Sequence, residues 1–290
     1  MTMTKYHNTG IFKKNTKLNE TQETNKQLKD LYTTWYNYLI SKGLSNICDK
    51  GKYNGMLLLT CFDSYIKAKN KIMFFGKEAN SSDGQIDVFD NNYQNDAYYS
   101  YDYAICNPDK TKKSDRNNTF FLKTRKKISG LSDDENPSYD KVLSVLPNNL
   151  NKSSYKGKYT PCNNDIDDII YSSDFTFNRL SGNIFIHELN ILRPTHIAFL
   201  CGKGYNEHIK RDFGEKFYEM NKDAINQLSV RKSPVSDIIT LKKHQIKDLF
   251  GIEGYDSINI VFAIHPSAHM KKDIRSSYEQ SLIRFISNQI

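Results

Sequence analysis

Hydrophobic residues recur along this chain in two rhythms. From about Thr21 to Ser41, the apolar residues Leu28, Leu31, Tyr32, Trp35, Tyr38 and Leu39 fall three or four apart. That spacing predicts a helix with one core-facing side, and Gly43 supplies its stop. Further on, apolar residues come in short unbroken runs: Ile72-Met73-Phe74-Phe75, Ile197-Ala198-Phe199-Leu200-Cys201 and Ile260-Val261-Phe262-Ala263-Ile264. Runs this short, closed by Gly76, Gly202 and Pro266, predict strands buried on both faces. Phe175-Thr176-Phe177-Asn178 reads as another strand, ending in an amide. Helical patterns lie between and after them. One carries Ile186, Leu189, Ile191 and Leu192 and stops at Arg193-Pro194; others run from about Tyr205 to Tyr218, from His244 to Phe250, and through Ile274, Tyr278, Leu282, Phe285 and Ile286. Strands alternating with helices imply right-handed βαβ crossovers and a mainly parallel α/β sheet covered on both faces.

The pattern also divides the chain. Residues 1–66 read as an N-terminal helical extension packing on the core, with an apolar stretch from Met56 to Ile66 leading into the first strand. Residues 67–290 read as the α/β domain, with a long, poorly patterned insertion at about 83–170. That insertion holds a Tyr-rich run and a basic patch of Lys110, Lys112, Lys113, Arg116, Lys123, Arg125, Lys126 and Lys127 around Phe120 and Phe121. Cations interleaved with rings suit nucleic acid, since they neutralise phosphates and offer stacking faces; a solvated amphipathic helix has the same composition.

Composition adds limits. The net charge of +8 favours a polyanionic partner, although abundant Lys, Asn, Ile and Tyr also fit an AT-rich coding bias. No apolar run approaches the roughly 20 residues of a membrane span, and the first residues lack the apolar core of a signal peptide. A cytoplasmic protein with no membrane partner is expected. The five cysteines are far apart and form no C-x-x-C pair, so neither a disulfide framework nor a zinc ribbon is expected. Asp165, Asp167 and Asp168 raise a metal-dependent nuclease as a rival, but an acidic helix start explains them as well. Gly202-Lys203-Gly204 lacks the spacing of a nucleotide fingerprint and reads as a turn. No metal and no cofactor are expected.

Two strand ends carry the candidate chemistry. Gly76-Lys77-Glu78-Ala79-Asn80 follows the first apolar run, and His265-Pro266-Ser267 follows the last. Ligands of open α/β sheets bind beyond the carboxyl ends of the strands. If these two strands are parallel neighbours, Glu78 and His265 face one cleft.

These pieces, in this order, resemble the uracil-DNA glycosylase superfamily. Gly76-Lys77-Glu78-Ala79-Asn80 looks like the family's first motif, Asn178 falls where the family has its base-reading Asn at the end of a second strand, Glu188 to Gly202 is similar to its helix–Pro–strand–Gly unit, and His265-Pro266-Ser267 matches its H-P-S motif. The resemblance covers roughly Lys71 to Arg284. It implies a three-layer α/β/α sandwich on a four-stranded, mainly parallel sheet. It also implies a DNA glycosylase that flips a base out of the duplex, with Glu78 and His265 catalytic; no Lys stands out as a Schiff-base nucleophile, so a monofunctional enzyme is expected, and a monomer. Gly76, Lys77, Asn80, Phe89 (with Tyr93 as alternative) and Asn178 would form the base pocket. Ser267, His269, Met270 and Lys271 would contact DNA, His269 and Met270 in the place of the family's wedge. Motif one has Glu78 where relatives have Asp, Asn or Ala. Its fifth place is Asn80, where strictly uracil-specific relatives have the Tyr that excludes thymine. Two substrate classes follow: uracil or another deaminated or damaged base, and a 5-modified pyrimidine such as hydroxymethylated or glucosylated cytosine of phage DNA. A catalytically inert DNA- or partner-binding relative and a nucleotide-binding α/β enzyme are the competing classes.

Overall fold

The computed structural model describes residues 19–43, 58–78, 145–152, 165–266 and 268–287. Helix α1 (Glu20–Ser41) starts at a capping box: Asn19 Oδ1 accepts from the Gln22 amide at 2.8 Å and Gln22 Oε1 accepts from the Asn19 amide at 3.1 Å. After the short helix α2 (Asp63–Ile66) come strands β1 (Ile72–Glu78) and β2 (Val145–Asn151) and helix α3 (Asp165–Ile170). A small hairpin, β3 (Thr176–Phe177) and β4 (Leu180–Ser181), precedes helix α4 (Ile184–Leu192), whose N-cap Asn183 accepts from the Phe185 amide. The chain continues through β5 (His196–Phe199), α5 (Asn206–Phe213), α6 (Glu215–Gln227), β6 (Ile239–Lys242), α7 (Lys243–Phe250), β7 (Ser257–Phe262) and α8 (Lys272–Ser287).

Five strands form one sheet in the order β2-β1-β5-β7-β6. The first four are parallel, and β6 joins the edge antiparallel to β7. Strand residues alternate between two apolar faces, as the period-2 geometry requires. Met73, Phe75, Leu146, Ile197, Phe199, Ile260 and Phe262 meet α1, α4, α5, α6 and α7 on one side. Ile72, Phe74, Val145, Ala198, Leu200, Val261 and Ala263 meet Tyr278, Leu282, Phe285 and Ile286 of α8 on the other. The expected α/β/α sandwich is therefore present, with an antiparallel fifth strand added to four parallel ones. Leu28, Leu31, Tyr32, Trp35 and Leu39 bury α1 in the same core as the sheet. No helix among the described residues is long and apolar enough to cross a membrane.

Three elements differ from the pattern-based expectation. The second sheet strand is β2, inside the segment read as insertion. Its sequence, Val-Leu-Pro-Asn-Asn-Leu-Asn, interrupts the apolar run with a proline and three amides, which conceals it. Pro147 is tolerated because β2 has only one neighbour among the described strands, so a missing N–H need not break a ladder. Phe175 to Asn178 is not a sheet strand: β3 pairs only with β4. The helix expected from Tyr205 to Tyr218 is broken at Gly214, whose φ of 89° ends α5 and starts α6.

Candidate functional site

The parallel register lines up the strand ends. Phe75, Phe199 and Phe262 pair across β1, β5 and β7, and their rings stack, with centroids 5.2 and 5.0 Å apart. Three residues beyond these phenylalanines stand Glu78, Gly202 and His265. Leu200 donates to the Phe75 carbonyl (2.8 Å) and Gly202 to the Ala263 carbonyl (3.0 Å), so the alignment continues past the strands. β1 and β7 are parallel but not neighbours, so the condition of adjacent strands is not met. β5 lies between them, so β1 and β7 stand about 10 Å apart, two strand spacings, where the ladder is paired at Phe75, Phe199 and Phe262. Gly202, in the left-handed region at φ 72°, closes the strand between them without a side chain, and a Cβ there would stand 3.7 Å from Ile264 Cδ1.

His265 is half-buried, and burial with the nearby Lys77 cation lowers its imidazole from 6.5 to about 4. It is neutral at pH 7. The backbone around it is fixed from α8. The Arg275 guanidinium donates to the Pro266 carbonyl (3.2 Å) and the Ala268 carbonyl (3.0 Å), and the Ala268 amide donates back to the His265 carbonyl (2.9 Å). The Lys77 ammonium lies over the Tyr205 ring, 5.4 Å from its centroid. Lys77 thus links the end of β1 to the turn that leads into α5 and leaves a positive charge at the sheet edge.

β2 brings amides to the same edge. Asn149 pairs with Gly76 and Asn151 with Glu78. Asn149 is only 5 % exposed, and its side-chain amide makes no hydrogen bond among the described residues. Its backbone N–H is held by Asn148 Oδ1 at 2.9 Å. Asn148 is held in turn by a buried ion pair: Lys152 Nζ donates to Glu188 at 2.6 and 2.8 Å and to Asn148 Oδ1 at 2.8 Å, and Asn148 Nδ2 donates to Glu188 Oε2 at 2.9 Å. Tyr32 of α1 completes the set, donating to Glu188 Oε1 at 2.7 Å and accepting from the Leu59 amide at 2.9 Å. Lys152 and Glu188 are fully buried, and desolvation pulls Lys152 below its ordinary value against the raising pull of Glu188.

A second network ties the end of β2 to α3 and α5. Arg211 donates to both oxygens of Asp212 (2.6 and 3.0 Å), to Asp167 (3.1 Å) and to the Leu150 carbonyl (2.8 Å), with its guanidinium 3.5 Å from the Tyr171 ring centroid. Asp167 is therefore an ion-pair partner, and no group of three or more His, Cys, Asp or Glu suited to a metal gathers among the described residues.

The other candidates sort as follows. Gly76 and Lys77 lie at the end of β1. Asn178 does not reach the sheet edge as a strand end. It is exposed, at φ 50°, and with Arg179 (φ 68°) it forms the tip of the β3–β4 hairpin. His269 and Lys271 are exposed beyond His265, whereas Met270 is half-buried and packs on the core from both sides. Asn80, Phe89, Tyr93, Ser267 and the basic patch lie outside the described residues. Asn149 and the Lys152–Glu188 pair were missed by sequence reasoning. Their one signal was a dense Asn-Asn-Leu-Asn-Lys string directly after Val145-Leu146-Pro147. Comparison with protein-family models and with curated proteins gives no match for this chain.

Proposed function

We propose that this chain is a monofunctional DNA glycosylase, which hydrolyses the N-glycosidic bond of a flipped base and leaves an abasic site. The observation that carries this reading is the alignment of Glu78 and a neutral His265 at one sheet edge, two strands apart. A gap of about 10 Å between strands β1 and β7 suits one nucleoside with a catalytic group on each side. Glycosidic cleavage gives the sugar oxocarbenium character and sends the base out as an anion. A Glu78 carboxylate would stabilise the cation and orient the attacking water, while an imidazole N–H of His265 would stabilise the anion at the base oxygen. Desolvation around His265 strengthens the second interaction, because charge is poorly screened there. The Asn149 amide, unengaged among the described residues, supports base reading at this edge, in the role expected of Asn178. Lys77, Lys271 and the net charge of +8 support a polyanionic substrate.

The test is base release from duplexes carrying uracil, a thymine mismatch, 5-hydroxymethylcytosine or its glucosylated form, read by alkaline cleavage at abasic sites. Glu78→Ala and His265→Ala are each expected to abolish release while circular dichroism stays unchanged. Release at the wild-type rate by both variants overturns the site assignment. Release from uracil DNA alone makes this a repair-type activity, and release from modified cytosine alone makes it one directed at phage-type DNA. DNA binding with no release from any duplex points instead to a binding module.

A further inference from the structure

A short turn next to the same edge takes no part in the site described above. After α6 the chain reverses at Ser229–Ser233, whose backbones exchange hydrogen bonds of 2.8 and 3.1 Å. Arg231 and Lys232 occupy the tip and are exposed, and neither makes an ion pair among the described residues. The segment following the turn is fastened along the end of β7. Pro234 accepts from the Ile264 amide (2.8 Å), Val235 bridges Ala263, the Ser236 amide donates to the Phe262 carbonyl (2.8 Å), and Ser236 Oγ accepts from the Phe262 amide (3.0 Å). The last hydrogen-bonded residue, Ile264, directly precedes His265. Two cations are therefore carried on a tightly closed turn a few residues from the catalytic strand end. Lys271, just before α8, and Lys272, its first residue, are also exposed and unpaired among the described residues and follow the same strand end. Asp237 is the exposed carboxylate nearest the turn in sequence.

We propose that the Ser229–Ser233 turn is a second contact for the phosphodiester backbone, with Arg231 and Lys232 each neutralising a phosphate of the duplex whose base enters the site. The proposal rests on the glycosylase reading only for the identity of that duplex. Holding the turn by backbone bonds leaves both side chains free for a ligand and removes the cost of ordering a loop at binding. The Arg guanidinium suits a phosphate through paired N–H donors and the Lys ammonium as a point charge. Such contacts carry no sequence information and set position and affinity.

The experiment is fluorescence anisotropy of a labelled duplex of about 20 base pairs over a salt series, using the full chain. Each phosphate contact contributes a slope of about −0.9 in log Kobs against log salt. Arg231→Ala/Lys232→Ala is expected to make the slope shallower by about two and to weaken binding about 10- to 100-fold at low salt, equally for all sequences. Lys26→Ala/Lys29→Ala on the exposed side of α1 is expected to leave the slope unchanged. A double-variant slope within half a unit of wild type overturns the proposal, as does a wild-type chain that binds no duplex. Base release with an unchanged slope removes the turn and leaves the glycosylase reading standing. A slope reduced by about two in a protein that releases no base leaves the turn standing and removes the glycosylase reading.

Discussion

Asn149 and Asn178 are both amides beside short strands, yet their surroundings differ. Asn149 is buried at the end of a sheet strand, with its amide unengaged among the described residues; Asn178 sits exposed at a hairpin tip. Asn149→Ala is therefore expected to lower the rate of base release about 100-fold, the usual cost of removing one oriented polar partner at a reacting centre. Asn178→Ala is expected to change it less than twofold. Single-turnover release by the two variants checks this, and the reverse ranking would restore Asn178. His265 makes a pH prediction. Its imidazole is held near 4 in the folded chain against 6.5 when free, so the unfolded chain binds a proton over a range where the folded chain does not. Its contribution to stability is full above pH 6.5 and is lost as pH falls from 6.5 towards 4. A histidine NMR titration is expected to give a midpoint near 4 for this residue; a midpoint at 6 or above would sink the desolvation argument.

At the scale of elements, β2 is held by a buried charge network as well as by the apolar residues Val145, Leu146 and Leu150. Lys152 and Glu188 are buried together and share Asn148 as a partner, and Glu188 also accepts from Tyr32, so the pair links β2, α4 and α1. Lys152→Met leaves an unpaired buried carboxylate and is expected to cost about 3–5 kcal/mol by urea denaturation. Lys152→Met/Glu188→Leu, which removes both charges, is expected to recover part of that loss. If the double variant is less stable than the single, the pair is not the source of the penalty. The same network explains why β2 was hard to read. Amides and a lysine look like a loop in one dimension, and only partners more than thirty residues away make them a buried strand.

The whole molecule depends on α1 more than the word extension suggests. Leu28, Leu31, Tyr32, Trp35 and Leu39 together bury apolar surface that contributes roughly 10 kcal/mol. That is comparable to the 5–15 kcal/mol of net stability typical of a domain. Deleting residues 1–43 also strips Glu188 of Tyr32, and the truncated chain is expected to lose cooperative thermal unfolding. A sharp calorimetric transition in that chain would show that the α/β sandwich is independent of α1.

The sequence by itself determined the α/β class, helix α1, the C-terminal helix, the buried strands β1, β5 and β7, and the presence of Glu78 and His265 at two strand ends. These follow from local periodicity, from glycine and proline stops, and from runs too apolar to face water. Only the tertiary structure decided strand order, and with it the position of β5 between the two catalytic candidates, because pairing across a parallel sheet is set by crossover packing. It also decided the place of Asn149, the partners of Lys152 and Glu188, and the seating of the Arg231–Lys232 turn beside His265. Each of these is a contact between residues remote in the chain, and a polar side chain carries no local mark of whether such a partner will bury it.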